Sequence, residues 1–133
     1  MLPITALHHI ARVTSRPDES NAFYRDVLGF KEVRRPPFNF RGAWLYNYGV
    51  QIHIIENTAS APDPQRRIDS RGNHLAFHVL DIEVSKEHLR AAQIEFHEQV
   101  NAGGIHQVFF RDPDGHFIEI ATYGPTPPEI ASS

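Results

Sequence analysis

The sequence predicts an α+β fold in which one strand–helix–three-strand unit is used twice. Three observations carry this prediction. The order of apolar alternation and helical periodicity is the same in both halves. Distinctive residues recur at matched spacings: His9 to His53 spans 44 residues and His74 to Glu119 spans 45, while Leu28-Gly29-Phe30 lies 19 residues after His9 and Ile94-Glu95-Phe96 lies 20 after His74. Finally, Gly49 precedes His53 by four residues and Gly115 precedes Glu119 by four. Each match alone is weak, and a chance alignment of an α+β chain is the competing reading. Together they define a first module over 7–56, a linker over 57–72, a second module over 73–121 and an irregular tail over 122–133.

The elements follow in order. Residues 7–14, LHHIARVT, read as a short strand. Pro17 suits the first turn of a helix, with Asp18 and Glu19 where the helix dipole favours negative charge. Phe23, Val27 and Leu28 define its apolar stripe, and Gly29 is a natural stop. Strand patterns follow at FKEVRR, GAWLYNY and VQIHIIE. Residues 57–72 have no periodicity and two prolines, which reads as a long loop, a lid or an inter-module linker. NHLAFHVL is then a strand, and DIEVSKEHLRAAQ a helix that starts at Asp81. IEFHEQV, HQVFFRD and HFIEIATY are three further strands, the last two joined by the turn residues Asp112 to Gly115. The tail from Gly124 is rich in proline and reads as irregular.

Composition narrows the function classes. The chain has 133 residues, 41% apolar and 22% charged, enough for one domain or two small halves sharing a core. A net charge of −3 argues against a nucleic-acid surface or a polybasic membrane anchor. With no cysteine there are no disulfides and no thiolate metal sites. No apolar run nears the roughly 20 residues that span a bilayer, and MLPITALHH lacks the features of a signal peptide. The cytoplasm is the expected location.

Strand alternation separates the side chains into two sets. Ile10, Leu75, Phe77 and Val79, with Ile52, Ile54, Ile118 and Ile120, form a face for the two helices to cover. The opposite face carries His9, His53, His74 and Glu119, one per strand. Ala11, Ala76 and Ala121 each follow one of these by two residues, and small side chains there leave space. A concave face floored by three imidazoles and a carboxylate is the expectation. Polar groups on a covered face are costly unless paired or metal-bound, and this donor set suits zinc, nickel, cobalt, iron or manganese. Taken singly, each histidine reads equally well as a surface or hydrogen-bonded side chain. The four registered positions together favour a metal centre. Of the other histidines, His8 is expected to point away from His9 and to be exposed, and His78 lies on the His74 face at its rim or just behind it. Trp44, Tyr46 and Tyr48 alternate on one strand and either line the cavity or, by a small margin, pack under a helix.

The pieces LHHIARV, FYRDVLGF, GAWLYNYGVQIHI, NHLAFHV and FFRDPDGHFIEI carry a family resemblance. Across most of residues 7–121 the chain resembles the vicinal oxygen chelate superfamily, which includes glyoxalase I, bleomycin resistance proteins and extradiol dioxygenases, and it is most similar to small glyoxalase-I-like proteins. The resemblance implies two paired βαβββ modules forming a cupped, mostly antiparallel sheet with helices on the outer face. It also implies one divalent metal ion at the positions of His9, His53, His74 and Glu119, and a homodimer whose site lies within one chain or is shared by two. Where glyoxalase I usually has glutamate this chain has His53, so Glu119 is the only carboxylate of the set. Arg66, Arg67 and Arg71 do not match the basic set that grips glutathione.

The function expected from this set is that of a metal-dependent lyase or isomerase acting on a small substrate with vicinal oxygens through a metal-stabilised enediolate, with Glu119 as base or as fixed ligand. Two alternatives stand beside it. His9, His74 and Glu119 without His53 form the two-histidine, one-carboxylate triad of Fe(II) dioxygenases. The other is a binding module whose cavity sequesters an aromatic or cationic ligand without turnover, with Trp44, Tyr46 and Arg71 as candidate binding residues.

Overall fold

The computed structural model describes residues 1–124 and 131. The chain divides into two compact units, Met1–Arg66 with Asp112–Gly115, and Arg67–Arg111 with His116–Ser133. The expectation of an irregular tail falls mainly on residues outside those described.

In the first unit the order is β1 (Ile10–Thr14), α1 (Pro17–Asp26), β2 (Lys31–Val33), β3 (Gly42–Asn47) and β4 (Val50–Glu56). They form one sheet in the order β1-β4-β3-β2. The second unit has β5 (His74–His78), α2 (Ile82–Ala91), β6 (Phe96–Val100), β7 (His106–Arg111) and β8 (Phe117–Ala121), in the sheet order β5-β8-β7-β6. The topologies are identical. In each sheet the first and last strands of the module pair in parallel and the other pairs are antiparallel. The α+β class and the repeated βαβββ unit are therefore both present, and each sheet is mixed.

The cores follow the alternation. Ala43, Leu45, Ile52 and Ile54 lie on one face of the first sheet and are buried, and α1 packs against β3 and β4. In the second, Val108, Phe110, Ile118 and Ile120 are buried on one face, and α2 meets β7. Fully burying a side chain of this size contributes about 1.5–3 kcal/mol. Asp81 caps α2 through its carboxylate, which accepts from the amides of Glu83 at 3.0 Å and Val84 at 3.1 Å.

The stripe expected on the first helix is displaced. Pro17, Ser20 and Tyr24 are the buried residues of α1, whereas Val27 caps its end and is exposed. The reason is polar: the Tyr24 hydroxyl donates to Asp112 Oδ2 at 2.8 Å, which turns that face of the helix inward. Gly29 follows with φ +80°, a left-handed conformation that costs glycine little.

Strand ends are shorter than the sequence suggests. Pro36 and Pro37 follow β2, which keeps only three residues. His9 stands immediately before β1. Residues 57–72 contain no helix or strand, as expected. The Asp112–Gly115 segment forms the turn between β7 and β8, closed by the Gly115 amide on Asp112 O at 3.0 Å. Gly115 has φ +90°, and a Cβ there would run into the Asp63 carbonyl oxygen. Among the described residues no helix is long and apolar enough to cross a membrane.

Candidate metal centre

His9 and His53 come together in the first unit. Their rings are stacked, with centroids 4.0 Å apart and planes 10° apart. On its other face His53 stacks on Trp44 at 4.2 Å and 5°, because Trp44 and His53 are cross-strand partners on β3 and β4. His53 Nε2 pairs with Gln51 Oε1 at 2.6 Å. An amide oxygen only accepts, so Nε2 carries the hydrogen and Nδ1 keeps the free lone pair. Burial, and then the nearby His9, His8 and Arg35, lower the His53 pKa, which favours the neutral ring a metal requires.

Two expectations change here. Trp44 does not pack under α1; it lies on the opposite sheet face, against His53. His8 is exposed as expected, but its Nδ1 sits 2.8 Å from His9 Nδ1 rather than pointing away. That contact is possible because both residues precede β1, where strand alternation no longer governs direction.

His74 and Glu119 come together in the second unit, with His74 Nε2 3.2 Å from Glu119 Oε2. His74 Nδ1 pairs with the Gly72 carbonyl oxygen at 2.8 Å, which only accepts, so Nδ1–H is the donor. A neutral His74 therefore turns a bare Nε2 lone pair toward a carboxylate oxygen. Two acceptors at this distance need a cation between them, either a proton or a metal ion. Glu119 is buried, and its other oxygen, Oε1, accepts from Gln107 Nε2. Near this carboxylate, Tyr123 is partly buried; burial first, and then Glu119, raise its pKa. His78 Nδ1 accepts from the Tyr123 amide at 3.0 Å.

The small residues fall where space is needed. Ala11 is the direct partner of His53 across β1 and β4, and Ala76 is the direct partner of Glu119 across β5 and β8. Each module thus sets an alanine beside its second donor. Tyr46 is half exposed on the Trp44 face. Tyr48 leaves that alternation at φ 54° and donates from its hydroxyl to Leu28 O at 2.6 Å. Arg71 is exposed, and its amide donates to Asp69 Oδ1.

The four expected ligands thus form two pairs, one in each unit. Among the described residues, no group of three or more His, Asp or Glu side chains is gathered to hold one ion. The donor types nevertheless suit a divalent cation: three imidazoles and one buried carboxylate. Gln51 and Gln107, which orient His53 and Glu119, were missed in the sequence. Their signal is alternation, since each shares a strand face with a ligand or with its cross-strand partner.

Comparison with known proteins agrees with this architecture. Residues 6–120 match the model of the Glyoxalase/Bleomycin resistance protein/Dioxygenase superfamily, and the chain belongs to that superfamily. It is 38% identical over 128 residues to Glyoxylase I 4 of Arabidopsis thaliana, covering 90% of this chain and 71% of that protein. It is 25% identical to a lactoylglutathione lyase of Pseudomonas putida, over 83% of this chain and 79% of that one. The crystal structure of a glyoxalase family protein from Enterococcus faecalis superposes with a TM-score of 0.70 at 28% identity, covering 90% of this chain and 99% of the other.

Proposed function

We propose that the protein is a divalent-metal-dependent lyase or isomerase of the glyoxalase I type. It acts on a small substrate with vicinal oxygens, with His9, His53, His74 and Glu119 as the ligands of the ion. The observation that carries this reading is the His74–Glu119 pair, in which an imidazole nitrogen and a buried carboxylate oxygen lie 3.2 Å apart. The similarity to a lactoylglutathione lyase supports the reaction class. When bound, the ion supplies Lewis acidity toward the substrate oxygens and stabilises negative charge developing there.

The chain's own groups do the rest. Glu119, with Oε2 free of the ion once substrate is bound, takes the proton from the substrate carbon beside the carbonyl and returns it to the neighbouring carbon, while Gln107 holds Oε1 and keeps the carboxylate from rotating. His74 is locked by Gly72, so its Nε2 stays on the substrate side. We also propose that the protein works as a homodimer. The mass in solution tests this, and a monomer at every concentration measured sinks it. Elemental analysis of protein purified without added metal tests the first claim, and a protein free of zinc, nickel, cobalt, iron and manganese sinks it. Glu119→Gln should lower kcat by about 10²–10⁴-fold. Full turnover by that variant on an identified substrate removes Glu119 as the base.

One observation favours a second reading, an Fe(II) dioxygenase using His9, His74 and Glu119. His53 donates Nε2–H to Gln51 and is sandwiched between two rings, as a supporting residue would be. His53→Phe keeps the stacking and removes the donor. Retained iron, with oxygen uptake on catechols, supports the dioxygenase; loss of metal supports four ligands.

A further inference from the structure

We propose that the first unit carries a binding subsite for a small aromatic carboxylate, built by Arg35, Phe38, Phe40 and Trp44. The proposal names the non-reacting end of the substrate. It rests on the reading above for what lies at the other end, but its test needs no turnover.

The loop between β2 and β3, RRPPFNFR, holds two stacked phenylalanines, Phe38 and Phe40, with ring centroids 5.1 Å apart and planes 17° apart. Phe38 lies 6.1 Å from Trp44, and Trp44 lies 4.2 Å from His53. A continuous run of rings therefore leads from the candidate ligands to the loop. It is an open run: Phe38 is 44% and Phe40 38% exposed. Scattered exposed apolar residues are normal, but a stacked pair continuous with a tryptophan forms a patch that a ligand can cover.

Charge supplies the chemical class. The Arg35 guanidinium lies over both rings, 5.0 Å from the Phe38 centroid and 5.1 Å from that of Phe40. Its Nη2 donates to Phe40 O at 2.8 Å, which fixes it in place. Among the described residues Arg35 makes no ion pair. Nearby Arg41, by contrast, is paired with Asp18 and Glu56. These residues surround an open cleft of about 550 Å³ beside the rings. Both acids of the cleft are thus engaged by Arg41, and Arg35 is the cation left for a ligand. A flat aromatic ring can lie against Phe38 and Trp44 while its carboxylate meets the guanidinium edge. An aliphatic acid would lose the stacking, and a neutral arene would lose the charge.

Trp44 is the only tryptophan in the chain, so ¹⁵N-labelled protein gives one indole N–H resonance as a local reporter. The probes are 2-naphthoate, neutral 2-naphthamide and cyclohexanecarboxylate, with affinities from calorimetry. We expect 2-naphthoate to shift the Trp44 resonance and to bind about tenfold tighter than either other probe. Arg35→Gln should weaken naphthoate about tenfold and leave naphthamide within about twofold, and Arg35→Lys should fall between. Phe38→Ala with Phe40→Ala should weaken both aromatic probes. The proposal is overturned if the three probes bind alike, if the Trp44 resonance does not move, or if Arg35→Gln leaves naphthoate affinity unchanged. A Trp44 resonance that moves on dilution without ligand also overturns it, because a second copy then covers the rings. Naphthoate binding at Trp44 in a protein that holds no metal supports the subsite while removing the glyoxalase reading.

Discussion

Glu119 is a carboxylate whose two oxygens have different jobs. Oε1 is held by Gln107 and Oε2 faces His74, so in the proposed function one oxygen serves the chemistry and the other is the anchor. Removing the anchor should matter more for rate than for folding. Gln107 is only partly buried, and Gln107→Leu keeps its bulk. The expected outcome is a fall in kcat of about tenfold or more, with KM and thermal stability little changed, because a displaced base loses alignment first. Steady-state kinetics beside a thermal melt check this. If the melt falls and kcat holds, Gln107 is structural. Such anchors are hard to read in a sequence. A strand glutamine is common on any half-exposed face, and only its place two residues before Phe109, the cross-strand partner of Glu119, gives it meaning.

Among the elements, the parallel pairs β1–β4 and β5–β8 set the site. They place Ala11 opposite His53 and Ala76 opposite Glu119; residues two apart on a strand put these alanines on the donor face, but their cross-strand partners come from the register alone. The donor face, the helix-covered face and the βαβββ repeat were legible for the same reason: a period of two fixes direction wherever the strand is regular. Legibility failed where regularity stops. His8 and His9 precede β1, so alternation misplaced His8. Trp44 was assigned by a small margin to the helix side, although it lies in register with His53. The small residues yield their own test. Ala76 is exposed, so Ala76→Val adds bulk beside Glu119 without overpacking the core. We expect metal affinity to fall by about tenfold and the melting temperature to stay nearly constant. Metal titration of the two proteins decides, and an unchanged affinity shows that the space beside Glu119 is not used.

At the scale of the whole molecule, the chain duplicates one topology, but the Asp112–Gly115 turn belongs to the first unit while β7 and β8 belong to the second. The bond from Tyr24 to Asp112 therefore ties the turn to α1 across 88 residues of sequence. No local pattern announces a partner so distant, which is why the buried stripe of α1 was misread. Tyr24 is fully buried, and burial first, then the Asp112 charge, raise its pKa well above the ordinary tyrosine value against the opposing pull of Arg12. A phenol whose folded pKa is raised binds its proton more tightly in the folded chain than in the unfolded one. Its contribution to stability is therefore fully present below the unfolded value of about 10 and declines as pH rises beyond it. Two outcomes follow for Tyr24→Phe. At neutral pH the buried Asp112 carboxylate loses a donor, and stability should fall by about 1–3 kcal/mol. Above pH 10 the slope of stability against pH should be shallower than in the unaltered chain. The remaining slope belongs partly to Tyr123, whose pKa is also raised, so the double variant with Tyr123→Phe should be flatter still. Urea unfolding at pH 7 and at several values above pH 10 measures both effects. A Tyr24→Phe variant as stable at pH 7 as its parent, with the same alkaline slope, would mean that this hydrogen bond does not hold the turn to the helix.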